Sequence, residues 1–230
     1  MHMGLPDRLE TAHAAVAALF GERVAVAVTD PRLSHPEPLA GEAEHLRFAI
    51  ARRHAEFAAG RAVARRAMAA LGHPEQPVMT AADRSPIWPR GLTGSISHSE
   101  TLCVAAVSDG PVYLGLDIEP DAELSEALVG TICSRAEIAR VRGPEMLRHA
   151  SLIFSAKEAA YKAQFPITRK VFGFDHIDLT LNFEQRRFTA TYLRPAHPFE
   201  VGDQLQGRFD IVAGHIVTAV SIPQVSHRGG

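Results

Sequence analysis

An α+β protein of two similar halves is the architecture the sequence predicts, and three observations predict it. Helical stretches at Glu42–Leu71 and Arg148–Lys162 are each followed by short runs whose apolar residues alternate as in antiparallel strands. The chain has 230 residues, room for one large domain or two small ones with real cores. Hydrophobic residues at 46% and charged residues at 22% are ordinary for a globular protein. The division is expected at 110/111, although no internal repeat is visible in the residues themselves.

Taken in order, Asp7 is expected to cap a first helix that runs to Phe20 and closes at Gly21. Arg23–Asp30 alternates as a strand, and Pro31–Gly41 is a proline-rich loop. Glu42–Leu71 reads as one helix, ended by Gly72 and Pro74. Gly60 interrupts it at a cost of roughly 1 kcal/mol relative to alanine, which points to a bend or a close approach there. A second proline-rich loop, 77–94, carries Arg84 and the sole tryptophan, Trp88. Leu102–Val107 and Val112–Ile118, joined by Asp109-Gly110-Pro111, are expected to form an antiparallel hairpin that brings His98 close to the end of the second strand. Ser134 with Glu137 forms a capping-box pattern within a helix–loop–helix segment. His176–Leu181 with Arg187–Leu193, and Leu205–Val212 with His215–Ile222, read as two hairpins, and Ser226–Gly230 as a frayed tail.

Four clusters carry the chemistry. In Gly115-Leu116-Asp117-Ile118-Glu119-Pro120 the strand period sends Asp117 and Glu119 to one face, where like charges ask for a cation. Oxygen-only ligands suit a hard ion such as Mg²⁺, which borrows further oxygens from a phosphate. In Phe154-Ser155-Ala156-Lys157-Glu158-Ala159-Ala160-Tyr161-Lys162, Glu158 and Lys162 share a helix face. Gly94-Ser95-Ile96-Ser97-His98 offers a close backbone approach beside a histidine. The helix at 42–71 carries Arg47, Arg52, Arg53, Arg61, Arg65 and Arg66. Arg53 and Arg61 lie about 80° apart around its axis, so both can face one anionic ligand.

The order and spacing of Ile87-Trp88-Pro89-Arg90-Gly91-Leu92-Thr93-Gly94-Ser95-Ile96-Ser97-His98-Ser99, the Asp117-x-Glu119 strand and the Lys157–Lys162 helix resemble the 4′-phosphopantetheinyl transferases. The likeness is to the longer, two-halved type that serves siderophore, nonribosomal peptide and polyketide synthases. It implies that family's fold, two α+β halves with the active site between them. It implies transfer of 4′-phosphopantetheine from coenzyme A to a serine of an apo acyl or peptidyl carrier protein, releasing adenosine 3′,5′-bisphosphate. By the same resemblance Asp117, Glu119 and Glu158 hold Mg²⁺, with Mn²⁺ as an alternative, and Glu158 takes the serine proton. Lys157 and Lys162 would neutralise phosphoryl oxygens. Arg53, Arg61 and His98 would hold the 3′-phosphate and nucleotide, with Arg84 and Ser97 near the adenosine. The half 1–110 would bind the nucleotide. The half 111–230 would carry the metal site, the catalytic helix and, over Ala122–Met146, the carrier dock, where Leu124, Leu128, Val129, Ile132 and Met146 form either an apolar patch or core.

Two other readings stand beside it: a different Mg²⁺-dependent phosphoryl or nucleotidyl transferase with a small acceptor, and a coenzyme A-binding regulator without turnover. The first lacks a P-loop or kinase-like glycine loop. A formal charge of −2 argues against nucleic-acid binding through bulk positive charge. No apolar run reaches membrane-spanning length, and no signal-peptide pattern opens the chain. Two cysteines, Cys103 and Cys133, argue for a reducing cytoplasm. Twelve histidines show no metal-ligand spacing, and a monomer is expected.

Overall fold

The computed structural model describes residues 4–224. The chain forms two compact units, one running to Leu114 and taking in the residues from Pro223 onward, the other spanning Gly115–Ile222. Each mixes helices with antiparallel sheet, as an α+β protein must. The expected tail at Ser226–Gly230 lies outside the described residues.

In the first unit, α1 (Leu5–Leu19) starts at Gly4 with Pro6 in its opening turn. Asp7 sits in that first turn, where its charge suits the helix dipole, rather than at the cap. Strand β1 (Ala25–Thr29) follows, then α2 (Ala51–Ala70), two short strands β2 (Met79–Thr80) and β3 (Pro86–Ile87), β4 (Thr93–His98) and β5 (Cys103–Ser108). The three-stranded sheet has the order β1-β5-β4, antiparallel throughout. Small residues along α2, among them Ala59, Val63, Ala64 and Ala67, let it lie close on Ala27, Cys103, Ala105 and Val107.

Two expectations fail here. The helix expected from Glu42 begins only at Ala51. The Glu42 carboxylate is drawn inward, accepting from the backbone N–H groups of Leu39 at 2.6 Å and Val78 at 2.7 Å. That ties residues 39–42 into a turn. A single 3₁₀ turn follows at Glu44–Leu46, and Ile50 caps α2 from an extended backbone. The hairpin expected between Leu102–Val107 and Val112–Ile118 also does not form. Both edges of β5 are already taken by β1 and β4, so the following strand joins another sheet. The inference that pairing would bring His98 near the acid strand falls with it.

The second unit is built on that strand, β6 (Val112–Pro120). It continues with α3 (Glu126–Ile132), α4 (Arg135–Arg140), α5 (Met146–Thr168), β7 (Ile177–Asn182), β8 (Arg187–Tyr192), β9 (Gln204–Val212) and β10 (His215–Pro223). The five-stranded sheet has the order β6-β10-β9-β8-β7, with both expected hairpins present in register. The capping box at the start of α4 is complete in both directions, Ser134 and Glu137 each bonding the other's backbone. Ala156, Ala159, Ala160 and Ala163 of α5 lie in a core with Ile177, Leu179, Phe188 and Tyr192.

One glycine sets how α5 meets β6. A Cβ on Gly115 would stand 1.9 Å from the carbonyl oxygen of Ala159 and 2.7 Å from the nitrogen of Ala163. Helix backbone therefore lies directly on strand backbone. Only a residue with no side chain allows it.

Candidate active site

In the first unit the cationic residues surround a cavity of about 720 Å³. Arg53 and Arg61 of α2, Arg84 from the turn after β2, and His98 at the end of β4 all line it. The two arginines thus face one space, as their angular spacing predicts. Arg53 Nη1 lies 3.1 Å from His98 Nε2, whose ring is also 4.0 Å from Glu56. Ser97, between the cavity-lining Ile96 and His98, is buried and does not line this cavity, because strand neighbours point to opposite faces. Gly60 lines it too, and a Cβ there would come within 3.3 Å of Ile96. The close approach there is by a neighbouring side chain. Gly94 likewise lies under the ring of Trp88, which a Cβ would strike at 2.5 Å.

Arg61 is 6% exposed. Its Nη2 donates to the Thr80 hydroxyl at 2.9 Å, and its guanidinium lies 4.1 Å over the Phe57 ring. Its buried Nε has no hydrogen-bond acceptor, and Glu42 Oε1 stands 4.0 Å away. Burial pulls the Arg61 pKa down to about 10, with the Glu42 charge opposing and Arg65 and Arg53 adding to the fall. His45, another lining residue, is held low by burial and by the surrounding arginines. Glu42, Thr80 and Phe57 were not legible as site residues. Glu42 looked like one more polar residue opening a helix.

In the second unit, the face of β6 that carries Gly115 carries Asp117 and Glu119 at the next alternate positions. Asp117 is 4% exposed. Lys162 of α5 donates to its Oδ1 at 2.7 Å and to the carbonyl of Leu116 at 3.0 Å. Burial, reinforced by the charges of Asp117 and Glu158 and opposed by Lys162, pushes Glu119 up to about 7. Glu158 is raised in the same way, by burial first and Asp117 second. The three acids therefore feel one another, with Lys162 as the resident cation. Among the described residues no group of three or more His, Cys, Asp or Glu side chains stands ready to hold a metal ion.

Lys157 requires a correction. It is 2% exposed, and Nζ donates to the carbonyls of Ile132 at 2.9 Å and Phe174 at 2.8 Å and to Glu137 Oε2 at 2.9 Å. An ammonium has three protons, and all three are used. It fastens α5 to the α4 capping box and has no donor left for a phosphate.

Beside Glu119 a smaller hollow of about 410 Å³ is lined by Leu124, Leu128, Ile132, Phe154 and Phe174. Leu128 is 48% exposed, whereas Ile132 is core. Among the described residues no helix is long and apolar enough to cross a membrane.

The first unit thus gathers cations around one cavity, and in the second Lys162 joins Asp117 across α5 and β6. Comparison with known proteins identifies the family. Residues 41–108 match the 4′-phosphopantetheinyl transferase N-terminal domain, and 113–220 match the 4′-phosphopantetheinyl transferase superfamily. The 4′-phosphopantetheinyl transferase Svp of Streptomyces mobaraensis is 33% identical over 79% of this chain and 77% of its own length. Npt of Nocardia iowensis, also a 4′-phosphopantetheinyl transferase, is 32% identical over 82% and 92%. Enterobactin synthase component D of Escherichia coli K12 is 36% identical over 51% of this chain and 58% of its own. The chain belongs to the 4′-phosphopantetheinyl transferase family and is a transferase that draws on coenzyme A to modify carrier proteins.

Proposed function

We propose that Asp117, Glu119 and Glu158 hold a Mg²⁺ ion, which Mn²⁺ can replace, and that the arginine-lined cavity takes the adenosine 3′-phosphate end of coenzyme A. The observation that carries the first part is the reach of Lys162 from α5 to Asp117 on β6. A cation already bridges the two elements, and the Glu119 and Glu158 carboxyls are both raised above their ordinary values, by burial first and by the Asp117 charge second. Their all-oxygen chemistry fits a hard divalent ion. Such an ion, when bound, would neutralise charge on the phosphate oxygens.

The chain's own residues do the rest. Glu158, its pKa raised by burial, accepts the proton of the carrier serine, directly or through one water. The serine oxygen bonds to the phosphorus on the pantetheine side, and the bond from that phosphorus to the oxygen of the nucleotide phosphate breaks. Adenosine 3′,5′-bisphosphate leaves with an added negative charge, which Lys162 meets as a point charge. Arg61, with an unused buried donor, and Arg53, Arg84 and His98 fix the nucleotide. The hollow beside Glu119, with Leu124 and the exposed Leu128, is the surface we assign to the apo carrier protein. The likeness to enterobactin synthase component D supports a siderophore or related synthase as the source of that carrier. The free, buried Cys103 and Cys133 support a reducing cytoplasm.

The test is the mass of an apo carrier protein after incubation with coenzyme A, Mg²⁺ and the enzyme. A gain of one phosphopantetheine arm is expected, lost in Asp117→Ala and Glu158→Ala variants that still unfold cooperatively. Coenzyme A binding with no gain in mass would leave only a regulator. Near-wild-type turnover in either variant would remove that acid from the site.

A further inference from the structure

Glu42 is the most enclosed carboxylate of the first unit, 0% exposed. It is pinned from three sides: Leu39 N–H and Arg65 Nη1 at Oε2, Val78 N–H at Oε1. Its partner Arg65 is engaged at the other end by Glu75 at 2.9 Å. Arg61 is the neighbour that Glu42 does not bond. The 4.0 Å gap to Nε is too long for a hydrogen bond, yet well within Coulomb reach in a buried setting. The carboxylate cannot close that gap, because both its oxygens are held by fixed donors.

We propose that Glu42 is a positioning residue for Arg61: an immobile counter-charge that balances a buried guanidinium and keeps it turned toward the cavity without using up its donors. The geometry separates two tasks that an ordinary salt bridge combines. Thr80 and the Phe57 ring set the plane of the guanidinium. Glu42 supplies the charge balance that makes its burial tolerable, since a buried ion with no counter-charge is strongly penalised. A carboxylate free to swing could instead draw the guanidinium inward, away from the cavity. Held back by its own donors, Glu42 leaves the cavity-lining guanidinium in place for a phosphomonoester dianion. Arg53 and Arg65 act on Arg61 as like charges, and Glu42 is the foremost of the groups that oppose them.

This rests on the reading that the cavity takes the 3′-phosphate of coenzyme A, and the experiment separates the two. Calorimetric titration of the full chain with adenosine 3′,5′-bisphosphate and with 5′-AMP compares wild type, Glu42→Gln, Arg61→Ala and the double variant. Wild type is expected to prefer the bisphosphate, and Arg61→Ala to lose most of that preference. Glu42→Gln should weaken the bisphosphate about ten-fold and 5′-AMP less than two-fold. In turnover it should raise KM for coenzyme A far more than it lowers kcat. The double variant should be no worse than Arg61→Ala alone, since both act through one group. If Glu42→Gln does not fold, Glu42→Asp carries the test, because it keeps the charge but moves it by one methylene; it should show the same selective loss, smaller in size. Equal losses for both nucleotides, or additive losses in the double variant, would overturn the role of Glu42. A wild type indifferent to the 3′-phosphate would instead overturn the cavity reading beneath it.

Discussion

Each unit contains one fully buried glutamate, and the two are used differently. Glu42 accepts from two backbone N–H groups and from Arg65 of α2. Glu137 accepts from two backbone N–H groups, Ser134 and Leu179, and from Lys157 of α5. In both, a buried carboxylate joins a turn, a strand or loop, and the long helix of its unit. The second network is closed: Lys157 has spent every proton, and it is Lys162, on another face of the same helix, that reaches Asp117. The first is open at one end, where Arg61 stands 4.0 Å from Glu42 without bonding it and lines the cavity. The same device thus serves as a rivet in one place and as a mount in the other.

The largest effect expected tests the frame around the closed network. Gly115→Ala would drive a methyl group into the main chain of α5, so a loss of at least ~3 kcal/mol is expected, seen as insoluble protein or a collapsed urea midpoint. A wild-type midpoint would mean that β6 and α5 are not in backbone contact. Next, Lys157→Met strands Glu137 without its cation and should cost about 3–5 kcal/mol. Arg65→Met should cost less, about 2 kcal/mol, because Arg61 still balances Glu42 at 4.0 Å. Denaturation curves giving the reverse order would erase the distinction between closed and open networks. Smallest is Ser134→Ala, which removes one half of the capping box and should lower stability by about 1 kcal/mol; calorimetry showing no change would put the whole strength of that turn on Glu137.

Much of this was legible from residues. The capping box, the two C-terminal hairpins and the shared face of Asp117 and Glu119 follow from local rules of period and turn, and local rules hold where neighbours in sequence are neighbours in space. The convergence of Arg53 and Arg61 followed from helical angle alone. Lys157 misled because adjacency to Glu158 in sequence means about 100° of rotation on a helix. That rotation carried it into the core, while Lys162, four residues on from Glu158, stayed on the acid face. The turn at 109–111 was visible, but nothing near it reveals that β5 already has partners on both edges. Glu42 was illegible for a similar reason: its donors come from Val78 and Arg65, far along the chain.

The bare contact between Gly115 and α5 has a consequence for how this family member can drift. Where two elements touch through their main chains, the distance between them is not a matter of which side chains fill the gap. Residues elsewhere in the second core can be exchanged, enlarged or thinned, and the offset between the acids of β6 and Glu158 on α5 stays as the peptide units dictate. The spacing of strand and helix is thereby insulated from ordinary sequence change, and one hydrogen atom at position 115 is the insulator.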